Sequence, residues 1–479
     1  GADPLRPTAS AVRSAQMLAL TTVTMQIVAI NRKRFDALVH QSRSPAAGYV
    51  SEEQSWWATP DESVIGVVLR DTVDNDILGI ALGRDEVGQY RAFDVSEPFG
   101  TVEDAQEWLH RAMRWHARDG NQVFPQGDTR KAVDFFEPIV PDERLHPYFV
   151  ILKDSESHLP AREIINLMAP HFRDIDGNFV EQFQTTGFDA RLWELYIHAY
   201  LVEEELFFDR EHNAPDFIVE KYGKKVGIEA VVVGRKANNP ARYFKLNPEE
   251  SWKVDVRSEH KNAMPIRFGS PLFSKLQKRY WALPQIKGHP LVFAIADFHD
   301  DQSMTWSSTA LINYLYGVRH DHHYDENGKL VISPMRIETH KVGGKEIPSG
   351  FFFQPDAENV SAILFSASGT ISKFNRMGRQ AGFKHPDVRM IRFGSCHDHD
   401  ENASLPKMFR YEVDETCSET WAEGISMFHN PNAKYPVPEE LFPSAAHHRF
   451  VDNQIVSLLP EFYPYSSMTW NLKVDRSRG

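Results

Sequence analysis

Residues 226 to 234, VGIEAVVVG, decide how the chain is read, because they form a short strand with one carboxylate where an apolar side chain would be easier to bury. Side chains alternate along a strand, so Glu229 shares its face with Gly227, Val231 and Val233, while Ile228, Ala230 and Val232 point the other way. Both faces are apolar, which implies burial on both sides. A lone ionised carboxylate in that setting is costly unless it is paired with a cation, hydrogen-bonded or bound to metal. Other residues must therefore account for Glu229.

The flanking sequence supplies them. APDFIVEKY, 214 to 222, reads as a second strand, joined to the first by the turn GKK, and Asp216 opens it directly after Pro215. That connection sets Asp216 and Glu229 side by side. Upstream, DARLWELYIHAYLVEEEL, 189 to 206, is a helix apolar on nearly all sides and hence buried, and it carries Glu194. Three carboxylates from a helix and two adjacent strands make an oxygen ligand set for a hard cation, Mg2+ or Mn2+. Such an ion activates water and neutralises charge on a phosphate in flight, and a nearby lysine assists the attack.

With Glu194 on a helix, Pro215-Asp216 opening a strand and Ile228-Glu229-Ala230-Val231 on the next, the chain resembles the PD-(D/E)XK nuclease superfamily over residues 180 to 380, through a short motif. The resemblance implies a restriction-endonuclease-like core, a mixed sheet flanked by helices. It also implies Mg2+- or Mn2+-dependent hydrolysis of phosphodiester bonds, usually in DNA, with Glu194, Asp216 and Glu229 as metal ligands and Asp216, Glu229 and a lysine as catalytic residues. A place in bacterial host defence or DNA processing follows by analogy. The chain departs from the pattern at Val231, where the family has lysine. Some members take that lysine from the following helix, here GSPLFSKLQKRYWAL, 269 to 283, which is expected to start at Ser270-Pro271. Its apolar stripe runs through Leu272, Phe273, Leu276, Tyr280 and Leu283. Lys275 lies at the edge of the stripe and is preferred; Lys278 points nearly opposite and becomes an equal candidate if both sides of the helix are covered. Gln277, on the other edge, is placed to position substrate. Val231 also supports an alternative: a nuclease-like module without catalysis that binds nucleic acid or a protein partner.

The charge pattern bears on the partner. The 479 residues carry a net −13, which by itself disfavours polyanion binding, yet residues 223 to 289 hold fourteen Lys and Arg against five acids, a local +9. This block is read as facing phosphates, through Lys224, Lys225, Arg235, Lys236, Gln277 and Arg279. Two cysteines, Cys396 and Cys417, argue against a disulfide-stapled secreted protein and fit a reducing cytoplasm. The run MLALTTVTMQIVAI, 17 to 30, is too short and polar to span a bilayer, so no membrane partner is expected. A homo-oligomer is left open.

The expected class is α/β, with an N-terminal segment (1–54), a small α+β domain (55–140), the nuclease-like domain (180–390) and a C-terminal extension (391–479) packed on the core. In the small domain, three β-rich runs lead to a helix opened by Thr101-Val-Glu-Asp104, and Asp71, Asp74 and Asp76 read as turn formers. HDHH (320–323), CHDHD (396–400) and His447-His448 invite a zinc reading, but none has the spacing of a structural finger and the first two are placed in loops. SASGTISKF, 366 to 374, reads as a strand end and a capped helix; if that helix start faces the site, Lys373 and Arg376 are available to a phosphate.

Overall fold

The structure, a computed structural model, describes residues 25–172, 177–235 and 256–474. Lys236 and the basic residues of the 236–255 stretch lie outside the described residues. The chain forms two units, 1–35 with 46–130 and 36–45 with 131–479. The architecture is mixed α/β, and among the described residues no helix is long and apolar enough to cross a membrane.

The first unit is an antiparallel sheet in the order β1 (Val28–Ile30), β2 (Ser51–Ala58), β3 (Val64–Asp71), β4 (Ile77–Arg84) and β5 (Tyr90–Val95). Helix α1 (Val102–Ala117) covers it, burying Ala105, Leu109 and Met113 against Val64, Val68 and Ala81. The cap forms as the sequence suggests, Thr101 Oγ1 accepting from the Asp104 amide at 3.2 Å. Asp71 and Asp74 accept backbone amides two residues on, the ordinary work of turn aspartates.

The second unit is built on an eight-stranded sheet. Its chain enters through α2 (Leu159–Met168) and α3 (Phe188–Glu203), then the antiparallel strands β6 (Phe207–Phe208), β7 (Phe217–Lys221) and β8 (Lys224–Val233). Helix α4 (Met264–Gln277) leads to β9 (Leu291–Asp297), parallel to β8. After α5 (Ser308–Tyr316) come two hairpins, β10 (Val318–Tyr324) with β11 (Leu330–Arg336) and β12 (Thr339–Val342) with β13 (Lys345–Pro348), and then β14 (Ala362–Ser366), parallel to β9. Helix α6 (Ile371–Gln380), β15 (Val388–Cys396), β16 (Lys407–Glu412), β17 (Ile425–His429), β18 (Ala446–Val451), β19 (Gln454–Leu458) and β20 (Pro464–Lys473) complete the chain. The order across the large sheet is β19-β18-β17-β14-β9-β8-β7-β6, and β15 pairs separately with β16 and β20. Residues 391–479 thus do more than pack on the core: β17, β18 and β19 extend the sheet itself, because β14 offers its free edge to β17.

Each face of the sheet has its own core. Helix α3, buried from Leu195 to Leu201, packs with Phe217, Val219, Val226 and Ile228, and Trp193 Nε1 donates to the Ala294 carbonyl at 2.8 Å. The opposite face, with Ile218, Val231 and Val233, lies under Phe268, Leu272 and Leu276 of α4 and under Tyr280 and Ile286. Helix α4 starts earlier than its sequence suggests, at Met264-Pro265, and runs through Pro271. The residues that turn inward are therefore Phe268, Leu272 and Leu276, and Phe273 is left 54% exposed, off the buried stripe.

Lys373 and Arg376 are not available to a phosphate. Both are buried, and Glu419 takes a bond from each: Lys373 Nζ at 2.8 Å and Arg376 Nε and Nη2 at 2.8 Å. Arg392, also buried, stands 3.3 Å from the same carboxylate and bonds Glu423. Burial works against the Glu419 charge, but Arg376, Lys373 and Arg392 outweigh it and hold its carboxyl far below the usual range. Replacing one member of such a cluster leaves unpaired buried charge. Glu419→Gln is therefore expected to cost about 3–5 kcal/mol, read as a lower denaturant midpoint with unchanged slope.

Glu204, at the end of α3, behaves oppositely. It is 4% exposed and accepts from the Ser444 amide at 3.2 Å. Burial raises its carboxyl, the Ser444 amide opposes this, Glu203 adds to the rise, and the result is about 7. Between the unfolded value of about 4.5 and that folded value, the native state holds a proton the unfolded chain has lost. Stability then falls as pH rises through this window, and the loss is complete above it. Glu204→Gln should raise stability at pH 8 by on the order of 2–3 kcal/mol while leaving pH 4 nearly unchanged, measured by urea unfolding at the two pH values.

Candidate active site

The β7–β8 hairpin sets the geometry. Lys221 pairs with Lys224 across a two-residue loop, Tyr222 and Gly223, both at positive φ (55° and 71°), the backbone a tight hairpin turn requires and glycine adopts freely. Register then follows residue by residue, Ile218 opposite Gly227 and Phe217 opposite Ile228, and Asp216, one residue before the strand, comes beside Glu229. The Asp216 amide donates to Glu229 Oε2 at 3.3 Å, and the Ala230 amide donates to Asp216 Oδ2 at 2.7 Å. Gly227 keeps this corner compact: a Cβ there would stand 2.6 Å from Ile286 Cδ1 and 3.2 Å from Pro215 Cγ.

Glu229 is 4% exposed and well provided with donors. Lys275 Nζ, from α4, contacts its Oε1, and the Tyr280 hydroxyl donates to the same oxygen at 2.7 Å. The charge on the buried strand is thus met by an ammonium from a separate helix, which answers why the strand itself has no lysine two residues on. Val231 is buried in the core beneath α4, where an ammonium would have no water. Tyr280 in turn holds its proton firmly, since burial and the Glu229 carboxylate both raise its phenol well above the ordinary range.

Asp216 differs from Glu229 in standing at the surface. The protein packed around it and the charges of Glu229 and Glu194 push its carboxyl up to about 8. Because water reaches the side chain, the two like charges are the firmer cause. Glu194 comes from α3, on the other face of the sheet, and Arg191 holds it through Nη1 at 2.9 and 2.7 Å to its two oxygens. Burial raises its carboxyl, Arg191 opposes the rise, and Glu229 adds to it. The three acids feel one another's charge. As a set, however, their oxygens do not come within 4.8 Å of one another; among the described residues the group that does is His429, Glu439 and His447.

The remaining sequence-derived residues fall in different places. Gln277, the last residue of α4, and Lys278 and Arg279 just past it are exposed, with Arg279 stacked toward Trp281 at 5.8 Å. Lys275, not Lys278, reaches the acids: its ammonium contacts Glu229, whereas Lys278 stands exposed just past the last residue of α4. Lys224 is exposed and pairs with Glu440, and Lys225 is half-buried. Arg235 does not present itself to a phosphate: it is bound to Asp189 at 3.3 Å and Asp301 at 2.6 Å, largely out of solvent. HDHH lies in strand β10 rather than a loop, and of CHDHD, His397 bonds the Tyr465 hydroxyl and His399 the Glu461 carbonyl.

Tyr280 and Arg191 were not singled out as site residues from sequence. Arg191 carried a legible signal, an i,i+3 spacing to Glu194 on a helix. Tyr280 carried a weaker one, a hydroxyl on an otherwise apolar stripe. Comparison with known families, with curated proteins and with solved structures finds no match to this chain.

Proposed function

We propose that the second unit is a metal-dependent nuclease acting on DNA, with a restriction-endonuclease-like core. The observation that carries this reading is the placing of Asp216, immediately before β7, beside Glu229 on β8, with the Lys275 ammonium arriving from α4. The donors fit a hard divalent cation: both are carboxylates, and the raised Asp216 carboxyl marks a surplus of negative charge that a cation relieves. Asp216 and Glu229 would hold Mg2+ or Mn2+, with Glu194 as the outer carboxylate once Arg191 gives way. When bound, the ion supplies an activated water and neutralises charge at phosphorus.

The chain's own groups do the rest. Asp216, at the surface, meets substrate first, while buried Glu229 is fixed in orientation by Tyr280 on one oxygen and the Asp216 amide on the other. Lys275 shares its charge between Glu229 and the site, where it orients the attacking water and stabilises the charge developing on phosphate. Gln277 and Arg279, exposed at the end of the helix that carries Lys275, would supply phosphate contacts, whereas Lys224 and Lys225 stand at the β7–β8 turn, with Lys224 paired to Glu440.

Cleavage of supercoiled plasmid by the full chain with Mg2+ or Mn2+ tests the proposal. Asp216→Ala and Lys275→Ala should each lower the rate by about 100-fold or more, and chelation should abolish it. Undiminished cleavage by Asp216→Ala removes the assignment. Lys278→Ala separates the two lysines, since a loss confined to it transfers the role from Lys275.

A second reading, a module of the same fold that binds nucleic acid or a protein partner without catalysis, is favoured by one observation: the Lys275 and Arg191 ion pairs already balance Glu229 and Glu194. It predicts salt-sensitive DNA binding that ignores metal and survives Glu229→Gln, measured by fluorescence anisotropy.

A further inference from the structure

Away from the acidic site, His429, Glu439 and His447 bring one ligand atom each to within 4.8 Å of the others. They come from three places. His429 ends β17, His447 lies in the parallel neighbour β18, and Glu439 opens the short 3-10 turn Glu439–Leu441 that precedes it. The register pairs Met427 with His447, and His429 is two residues beyond Met427, so both imidazoles project from the same face of the sheet.

The orientation of His447 is fixed. Its Nε2 donates to the Phe442 carbonyl at 2.9 Å, which leaves Nδ1 as the lone-pair nitrogen, turned toward His429. The distance from that Nδ1 to His429 Nε2 is 2.9 Å, and His429 Nε2 lies 3.8 Å from Glu439 Oε1. Two nitrogens on a tetrahedral zinc ion stand about 3.3 Å apart, a small adjustment from this spacing. A backbone carbonyl that orients the far nitrogen of a histidine is also a recurrent support for metal ligation.

We propose that His429 Nε2, His447 Nδ1 and Glu439 form a site for a borderline divalent cation, with zinc as the natural occupant, separate from the carboxylate site on β7 and β8. Two imidazoles and one carboxylate suit zinc rather than Mg2+, and three protein ligands leave a fourth position for water or another group. Loading exchanges the His429–His447 hydrogen bond for two nitrogen–metal bonds, with the His429 proton moving from Nε2 to Nδ1, so the imidazoles stay neutral. Arg449 contacts Glu439 and competes with the cation for it.

The test is Co2+ binding to the untagged full chain after removal of metal by chelation, followed by visible absorption and by elemental analysis of zinc-loaded protein. One equivalent with the absorption of tetrahedral Co2+ is expected, distinct from any octahedral Co2+ on the carboxylate pair, and bound at least tenfold more weakly by His447→Ala and by Glu439→Gln, whose side chain lies in a partly exposed turn. Arg449→Gln should bind more tightly, a gain that misfolding cannot produce. Asp216→Ala should leave the stoichiometry at one. Absence of stoichiometric binding, equal affinity in all the ligand variants, or loss of the metal in Asp216→Ala would overturn the proposal.

Discussion

The register of one hairpin governs the candidate site. Because Tyr222 and Gly223 close a two-residue loop, β7 and β8 have no freedom to slide, and Asp216 must come beside Glu229. A slip of one residue would send Glu229 to the α3 face, among Phe217, Val226 and Ile228, where neither Lys275 nor Tyr280 could reach it. The turn is therefore as much a part of the site as the carboxylates. At Gly227 the lack of a side chain leaves the room that Ile286 and Pro215 occupy, which a Cβ would crowd.

The position of the lysine follows from the way the sheet is covered. Strand β8 is buried on both faces, and Val231 sits where α4 seals the core against Ile218 and Leu272. A lysine there would have to thread its ammonium back toward Glu229 under the helix. The same charge delivered from α4 needs no such path: Lys275 keeps its stem along the helix surface and remains 24% exposed while its ammonium touches the buried carboxylate. Tyr280, just past the helix end, completes the set by donating to the same oxygen. Helix and strand thus divide the work, one supplying the acid and the other the cation.

Much of this was legible in the sequence because it rests on periods and turns. The alternation in VGIEAVVVG, the all-round apolar helix around Glu194 and the Thr101 cap each depend on neighbours within a few residues, and each element lies where those patterns put it. What sequence could not show depends on contacts between distant segments. That α4 begins at Met264 and passes through Pro271 reflects packing of Phe268 into the core, which overrides a good local start at Ser270. Arg235 looked like a phosphate contact until Asp189 and Asp301, far off in the chain, took its guanidinium. Lys373 and Arg376 were lost to solvent in the same way, through Glu419. Likewise His429 and Glu439 carry no local spacing that links them to His447, because adjacency across parallel strands leaves no trace in the order of residues.

The unequal exposure of the two central acids has a consequence of its own. Glu229 is enclosed and tied by three donors, so its geometry is set before any substrate arrives. Asp216, beside it, has one amide on Oδ2 and stands in solvent under the repulsion of two neighbouring carboxylates. A cation approaching from water meets first the acid that gains most from it and only then the acid that is already compensated. Binding at this pair would draw Lys275 off Glu229, because one carboxylate cannot serve an ammonium and a hard dication equally at the same oxygen. The freed ammonium would then lie beside the ion, at the mouth that Asp216 marks. On the proposed reading, the ion pair that stabilises the buried strand would also keep beside the site the charge that a phosphate in reaction needs.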